Sequence, residues 1–291
     1  MKILLAVDSS PASSFAIQEV ARRPWPAGTT VHVLSVVERW DAPALVEGLN
    51  RSASELLRRA FARLQSSGIC VATELLSGDP KEVILERAAG LNADLVVVGS
   101  RSATGLTRFL VGSVALAVAR FAPCSVEIVR SGVRDEENPD AIRILLATDG
   151  STCSEVAAHS IAERPWPAGS EIHILSVVEP SLPSSRTPYP PYFDPEAMEA
   201  LRDEAASKAE KAVKTAQNIV AEAGLPTTGT IAVPCATPKE LIVEETHRWG
   251  ADLVVVGSHG RRGISRFLLG SVSEAVASHA KCSVEIIRHC N

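Results

Sequence analysis

Short continuous apolar runs alternate along this chain with longer stretches whose apolar residues recur every three or four positions. In the first half the runs are ILLAV (3–7), VHVLSVV (31–37), DLVVVG (94–99) and SVEIV (125–129). Runs of this length suit strands covered on both faces, as in a parallel sheet. Between them, PASSFAIQEVARR (11–23), ASELLRRAFARLQSSG (53–68), PKEVILERAAG (80–90) and SVALAVARFA (113–122) carry helical spacing. The order reads βαβαβαβαβ. It predicts a doubly wound α/β sheet with helices on both faces, whose ligands bind beyond the carboxyl ends of the strands where the strand order reverses. The chemistry is therefore expected in the loops after strands one, two and four.

The whole pattern occurs twice. Residues 2–38 return at 143–179, and residues 93–130 return at 251–288, so the offset grows from 141 to 158. The extra residues of the second copy fall in the proline-rich PSLPSSRTPYPPYFDPEA (180–197), which reads either as an inert surface loop or, with Tyr189, Tyr192 and Phe193 as aromatic anchors, as a flap near the second site or a partner contact. A long helical pattern follows at 196–224. A chain of 291 residues then divides into domains at 1–131 and 142–291, joined by a polar, acidic linker at 132–141.

Composition narrows the function. A net charge of −5 argues against a nucleic-acid footprint, so any phosphate site must be local. No apolar run approaches the ~20 residues of a membrane span, and the N-terminus turns polar too early for a signal peptide, which leads to a cytoplasmic expectation. Cys70, Cys124, Cys153, Cys235, Cys282 and Cys290 form no CxxC pair and stand at no metal spacing from histidine, so they read as reduced structural thiols. The repeated RPWPAG (23–28 and 164–169) reads as a structural corner, and His32 and His173 as core or rim residues of the second strand. The chain lacks GxGxxG, GxxxxGK[ST] and GxSxG, which removes dehydrogenases, P-loop NTPases and the commonest sheet-based hydrolases.

One stretch has the makings of an anion cradle. After the fourth strand of the second half come Gly257-Ser-His259-Gly260, nine residues, and Gly270-Ser271 opening the last helix. Glycines let backbone N–H groups approach an anion, and a helix start presents free N–H groups and a positive dipole end to it. Arg261, Arg262 and Arg266 add guanidinium groups suited to a polyphosphate. Plainer readings exist: Ser271-x-x-Glu274 as a capping box, the glycines as tight turns, the arginines as a solvated face. Asp8 and Asp149, each ending a buried strand at the ligand edge, need either a helix to cap or a ligand to meet.

These residues closely resemble the universal stress protein family in its tandem two-domain form: Asp149 in LLATDGS, the HILSVVE strand, and Gly257-x-x-Gly260 with Gly270-Ser271 nine residues on. The resemblance implies five-stranded parallel sheets of order 3-2-1-4-5, of the adenine nucleotide alpha hydrolase-like kind, binding ATP with Mg or Mn. It places Asp149 at the ribose and metal side and Val177 at adenine through its backbone. Gly257, His259, Gly260, Gly270, Ser271 and Ser273 would hold phosphates, with Ala147, Thr148, Val256, Arg261 and Val272 also in the binding set. The first-half counterparts are Asp8, Val36, Gly99, Arg101, Gly112 and Ser113. There Ser102 replaces Gly260 and Ala115 replaces Ser273, so the second half is expected to bind more tightly. The implied role is a nucleotide-dependent stress-response switch; slow ATP hydrolysis, resting on Asp149 and His259, and a nucleotide-free dimeric scaffold are the alternatives. The final strands SVEIVR and SVEIIR are expected to pair the halves within the chain, with a homodimer as a further possibility.

Overall fold

The computed structural model describes residues 1–100, 111–130, 140–178, 195–232, 237–260 and 269–288. The first half runs β1 (Lys2–Ala6), α1 (Pro11–Arg22), β2 (Thr30–Val37), α2 (Pro43–Gln65), β3 (Cys70–Ser77), α3 (Pro80–Leu91), β4 (Leu95–Gly99), α4 (Ser113–Phe121) and β5 (Ser125–Val129). The second half repeats it as β6 (Arg143–Ala147), α5 (Thr152–Ala162), β7 (Glu171–Val177), α6 (Pro195–Glu222), β8 (Thr227–Ala232), α7 (Pro238–Trp249), β9 (Leu253–Gly257), α8 (Ser271–His279) and β10 (Ser283–Ile287). Each half has the order 3-2-1-4-5 with parallel neighbours. The two sheets join edge to edge through β5 and β10, which run antiparallel, giving one sheet of ten strands.

The central strands are buried on both faces, which is why they read as unbroken apolar runs. The outer strands β3 and β8 are half exposed and carry polar residues, which suits a sheet edge. On one face, α3, α4, α7 and α8 cover a core that crosses the join: Val118 and Ala119 share it with Val276 and Ala277, over Val126 and Val284. On the other face each half keeps its own core, under α1 and α2 (Ile17, Val20, Leu57, Leu64) and under α5 and α6 (Ile161, Val213, Val220).

Polar groups fix the register of the join. Glu285 stands opposite Glu127 across the antiparallel pair, and each is only 1% exposed. Directly opposed residues share a face, so two carboxylates are buried side by side. Arg23, just past α1, forks onto Glu127 at 2.8 and 2.6 Å, and Arg164 reaches Glu285 at 2.8 Å. These arginines open the two RPWPAG corners, while Trp25 and Trp166 bond Val20 and Ile161 carbonyls at 2.8 and 2.9 Å. The corner is structural as read, and its arginine also neutralises a strand carboxylate.

The ends of β5 and β10 exchange caps. Arg130 donates to the carbonyls of Ala277 and Cys282, at 2.6 and 3.1 Å, where α8 ends. Arg288 donates to those of Ala119 and Arg120, at 2.7 and 2.9 Å, where α4 ends. Burial pulls the Arg130 guanidinium down to about 10, which leaves it charged at neutral pH. Each half thus satisfies orphan carbonyls of the other half's last helix.

Two expectations need correction. The helix before β3 begins at Pro43 rather than Ala53, because Pro, Gly48 and Asn50 weaken the sequence signal while Pro is well placed in a first turn. And Cys153 is disulfide-bonded rather than reduced, its partner lying outside the described residues; absence of CxxC does not preclude a bond between cysteines distant in sequence. Cys124 and Cys282 are free and buried, and burial pushes both thiols up to about 11, so they behave as packing groups.

Candidate functional site

The second-half site is assembled at the carboxyl ends of β6 and β9. Thr148 is buried and inward-looking: its N–H donates to Leu175 O at 2.9 Å, and its hydroxyl donates to Ser154 Oγ at 3.0 Å and accepts the Gly150 N–H at 3.2 Å. Gly150 takes the left-handed φ of +71° that this turn requires. The turn holds half-buried Asp149, whose Oδ1 accepts the Ser151 N–H at 3.0 Å. Its Oδ2 faces Gly260, where an added Cβ would stand only 2.7 Å away. Gly260 is not among the positive-φ glycines, so what this position needs is room beside a carboxylate rather than a special backbone angle.

Gly257 and Gly99 serve packing. A Cβ on Gly257 would lie 2.8 Å from the carbonyl carbon of Cys153, and one on Gly99 would lie 2.6 Å from that of Ala12. Bare strand ends thus let the first turns of α5 and α1 sit against the sheet. His259 lies two residues on, with Nδ1 3.1 Å from Ser258 Oγ and with Nε2 buried and lacking a hydrogen-bond partner among the described residues. An orphaned buried ring nitrogen is costly unless something meets it.

The start of α8 departs from the capping-box reading. Its N-cap is Gly270, one residue earlier than Ser271, in extended conformation and with no side-chain cap. Gly270 N–H donates to Ser258 O, and the first helical bond runs from Glu274 N–H to Gly270 O, both at 2.8 Å. The N–H groups of Ser271, Val272 and Ser273 therefore have no helical acceptor, and Ser271 is exposed. Glu274 does not fold back onto the helix start; it pairs with Arg120 of the other half. Buried Ser273 donates to Gly257 O at 2.6 Å, tying α8 to β9. Its counterpart Ala115 cannot make that tie.

Other expected positions contribute backbone at most. Ala147 and Val256 are core residues, while Val177 ends β7 half-buried and Val272 packs against the same core. In the first half Asp8 is exposed, its Oδ1 accepting from Ser10 N–H at 3.0 Å and the Ser13 hydroxyl at 2.7 Å. Val36 is half-buried, and Gly112 caps α4 as Gly270 caps α8, with Ser113 exposed beyond it. Arg101, Ser102, Arg261, Arg262 and Arg266 lie outside the described residues, as do Tyr189, Tyr192, Phe193 and most of the linker.

The family model described as "Universal stress protein family" matches residues 1–130 and again 142–288. The chain belongs to the universal stress protein family. A universal stress protein of Mycolicibacterium smegmatis is 29% identical, over 98% of this chain and 96% of that one. One of Mycobacterium tuberculosis is 28% identical, over 97% and 94%. The crystal structure of a universal stress protein from Archaeoglobus fulgidus has the same fold, with a TM-score of 0.68 at 20% identity over 99% of this chain and 96% of that one. As a tandem universal stress protein, the chain shows the same strand order in both halves and opens the last helix of each on an uncapped glycine, Gly112 and Gly270. Among its described residues no helix is long and apolar enough to cross a membrane.

Sequence reasoning did not single out Arg120, Arg130 and Arg288, or the Arg23–Glu127 and Arg164–Glu285 pairs. The signal for the last two was present, because RPWPAG and SVEI each stand in both copies.

Proposed function

We propose that the second half binds an adenine nucleotide, ATP with Mg or Mn, and that the bound nucleotide sets the conformation this protein shows to its partners. The observation that carries this reading is the uncapped start of α8, where three adjacent N–H groups lie next to the loop that holds His259 and Gly260. A triphosphate satisfies such groups and gains from the helix dipole. The orphaned His259 Nε2 suits a phosphate oxygen or hydroxyl, and the Val177 backbone lies at the strand end where adenine would be read.

The residues present fit the nucleotide better than they fit a free-standing metal. Among the described residues no three His, Cys, Asp or Glu side chains gather into a metal cluster. Asp149 would supply one carboxylate to a divalent ion held otherwise by phosphate oxygens and water. Bound, the ion would neutralise phosphate charge.

The first half is proposed as the weaker site. Ser102 aligns with Gly260, where in the second half an added Cβ would stand 2.7 Å from the strand-one carboxylate of Asp149. The experiment is calorimetric titration of nucleotide-stripped protein with Mg-ATP, repeated in the presence of inorganic tripolyphosphate. Saturable binding weakened by tripolyphosphate is expected; ATP binding indifferent to it would remove the α8 start from the site.

A further inference from the structure

A side chain of the first half reaches the start of the second half's last helix. Arg120, in the last turn of α4, pairs with Glu274 in the first turn of α8, and the two side chains are 41% and 37% exposed. The pair has no mirror image. The positions that match Glu274 and Arg120 in the other copy are Leu116 and Ser278, and the first turn of α4 holds no acid.

Glu274 is an awkward neighbour for a polyphosphate. A carboxylate in a first turn is itself drawn to the free N–H groups and positive end of its helix. Left alone, it would compete with a phosphate for the N–H groups of Ser271 to Ser273 and repel that phosphate. Arg120 engages the carboxylate instead, and α8 starts without a side-chain cap.

We infer that Arg120 is a positioning residue for the nucleotide site of the other half: it holds Glu274 off the start of α8 and so keeps three N–H groups open for phosphate. The inference rests on the nucleotide-binding reading above. It makes the first half a working part of the second half's site even if the first half binds nothing. The contact is separable from the helix caps at the join, because Arg288 bonds the Arg120 backbone carbonyl, which a side-chain change leaves in place.

The test uses the full chain in three variants, Arg120→Ala, Glu274→Ala and Arg120→Ala with Glu274→Ala. Mg-ATP affinity is read by calorimetry, and amide-resolved hydrogen exchange is followed at residues 271–273 without nucleotide. Arg120→Ala should weaken binding about tenfold, the scale of one unscreened like charge near the ligand. It should also slow exchange at those amides as Glu274 folds onto them. Adding Glu274→Ala should restore both to the level of Glu274→Ala alone. Unchanged affinity and exchange in Arg120→Ala, or a double variant as weak as Arg120→Ala, would overturn the inference. Failure of nucleotide binding in the unaltered protein would sink the binding reading, whereas the exchange data would still show whether Arg120 governs Glu274.

Discussion

A methyl group at residue 260 would stand 2.7 Å from Asp149 Oδ2, well inside the contact distance of carbon and oxygen. Gly260→Ala must therefore displace either residue 260 or the half-buried Asp149 carboxylate, which the proposed site uses. We expect Mg-ATP affinity to fall at least tenfold while the thermal midpoint stays close to that of the unaltered protein; unchanged affinity would mean the carboxylate yields freely. A different residue reports on pH. His173, on β7, donates or accepts at Thr228 Oγ1 at 2.8 Å, stacks on Trp249 with ring centroids 5.1 Å apart, and has Nε2 3.3 Å from Glu245 Oε1 without hydrogen-bond geometry. Arg248 pairs with Glu245, and Arg143 lies over the Trp249 ring at 4.7 Å. Burial lowers the His173 pKa, against the pull of Glu245 and with a push from Arg248. The unfolded chain thus takes up the proton first: the stabilising neutral form is fully present above about pH 6.5 and its contribution is lost as pH falls below that. The thermal midpoint should drop between pH 7 and 5.5, and His173→Gln should flatten that slope.

At the scale of elements, strands covered on both faces were legible because burial demands apolar residues throughout; β1, β2, β4 and β5 match their runs to within a residue or two. The third strand follows from element order alone, since Cys70–Ser77 lies at an edge and has no fully buried position. The start of α2 was hidden by Pro43, Gly48 and Asn50, and by Leu45 and Leu49 lying exposed instead of on a buried stripe. The opening of α8 at Gly270-Ser271 agrees with the sequence reading, and only the alternative of a capping box fails. Ser271 and Glu274 have capping-box spacing, but the partner that draws Glu274 away is 154 residues distant and invisible to local pattern. The same holds for the arginine caps. Arg130→Ala and Arg288→Ala each strip buried carbonyls of their donors, which costs about 1–3 kcal/mol. Urea denaturation should show losses in that range for both, and a negligible loss would mean water replaces the guanidinium.

The whole molecule is two similar halves made into one sheet, and the join depends on opposed charges that no single strand announces. SVEIVR and SVEIIR looked like apolar edges; in the structure each glutamate is buried opposite its copy and answered by an arginine from its own half. Removing one partner leaves an uncompensated buried charge, so Arg23→Met should cost about 3–5 kcal/mol. Arg23→Met with Glu127→Leu should recover much of it in denaturant titrations, and a single variant as stable as the unaltered protein would remove the pair from this role. Duplication made the candidate site legible, since Gly260 and Ser273 stand out where Ser102 and Ala115 replace them. It did not reveal that Gly260 serves space and Ser273 serves a helix tie, because both depend on neighbours that only the folded chain brings together. The most direct test of the account is the number of adenine nucleotides bound per chain, counted by native mass spectrometry after stripping and re-addition of Mg-ATP. The account predicts one, falling to none with Gly260→Val; two of equal affinity, or one that survives Gly260→Val, would contradict it.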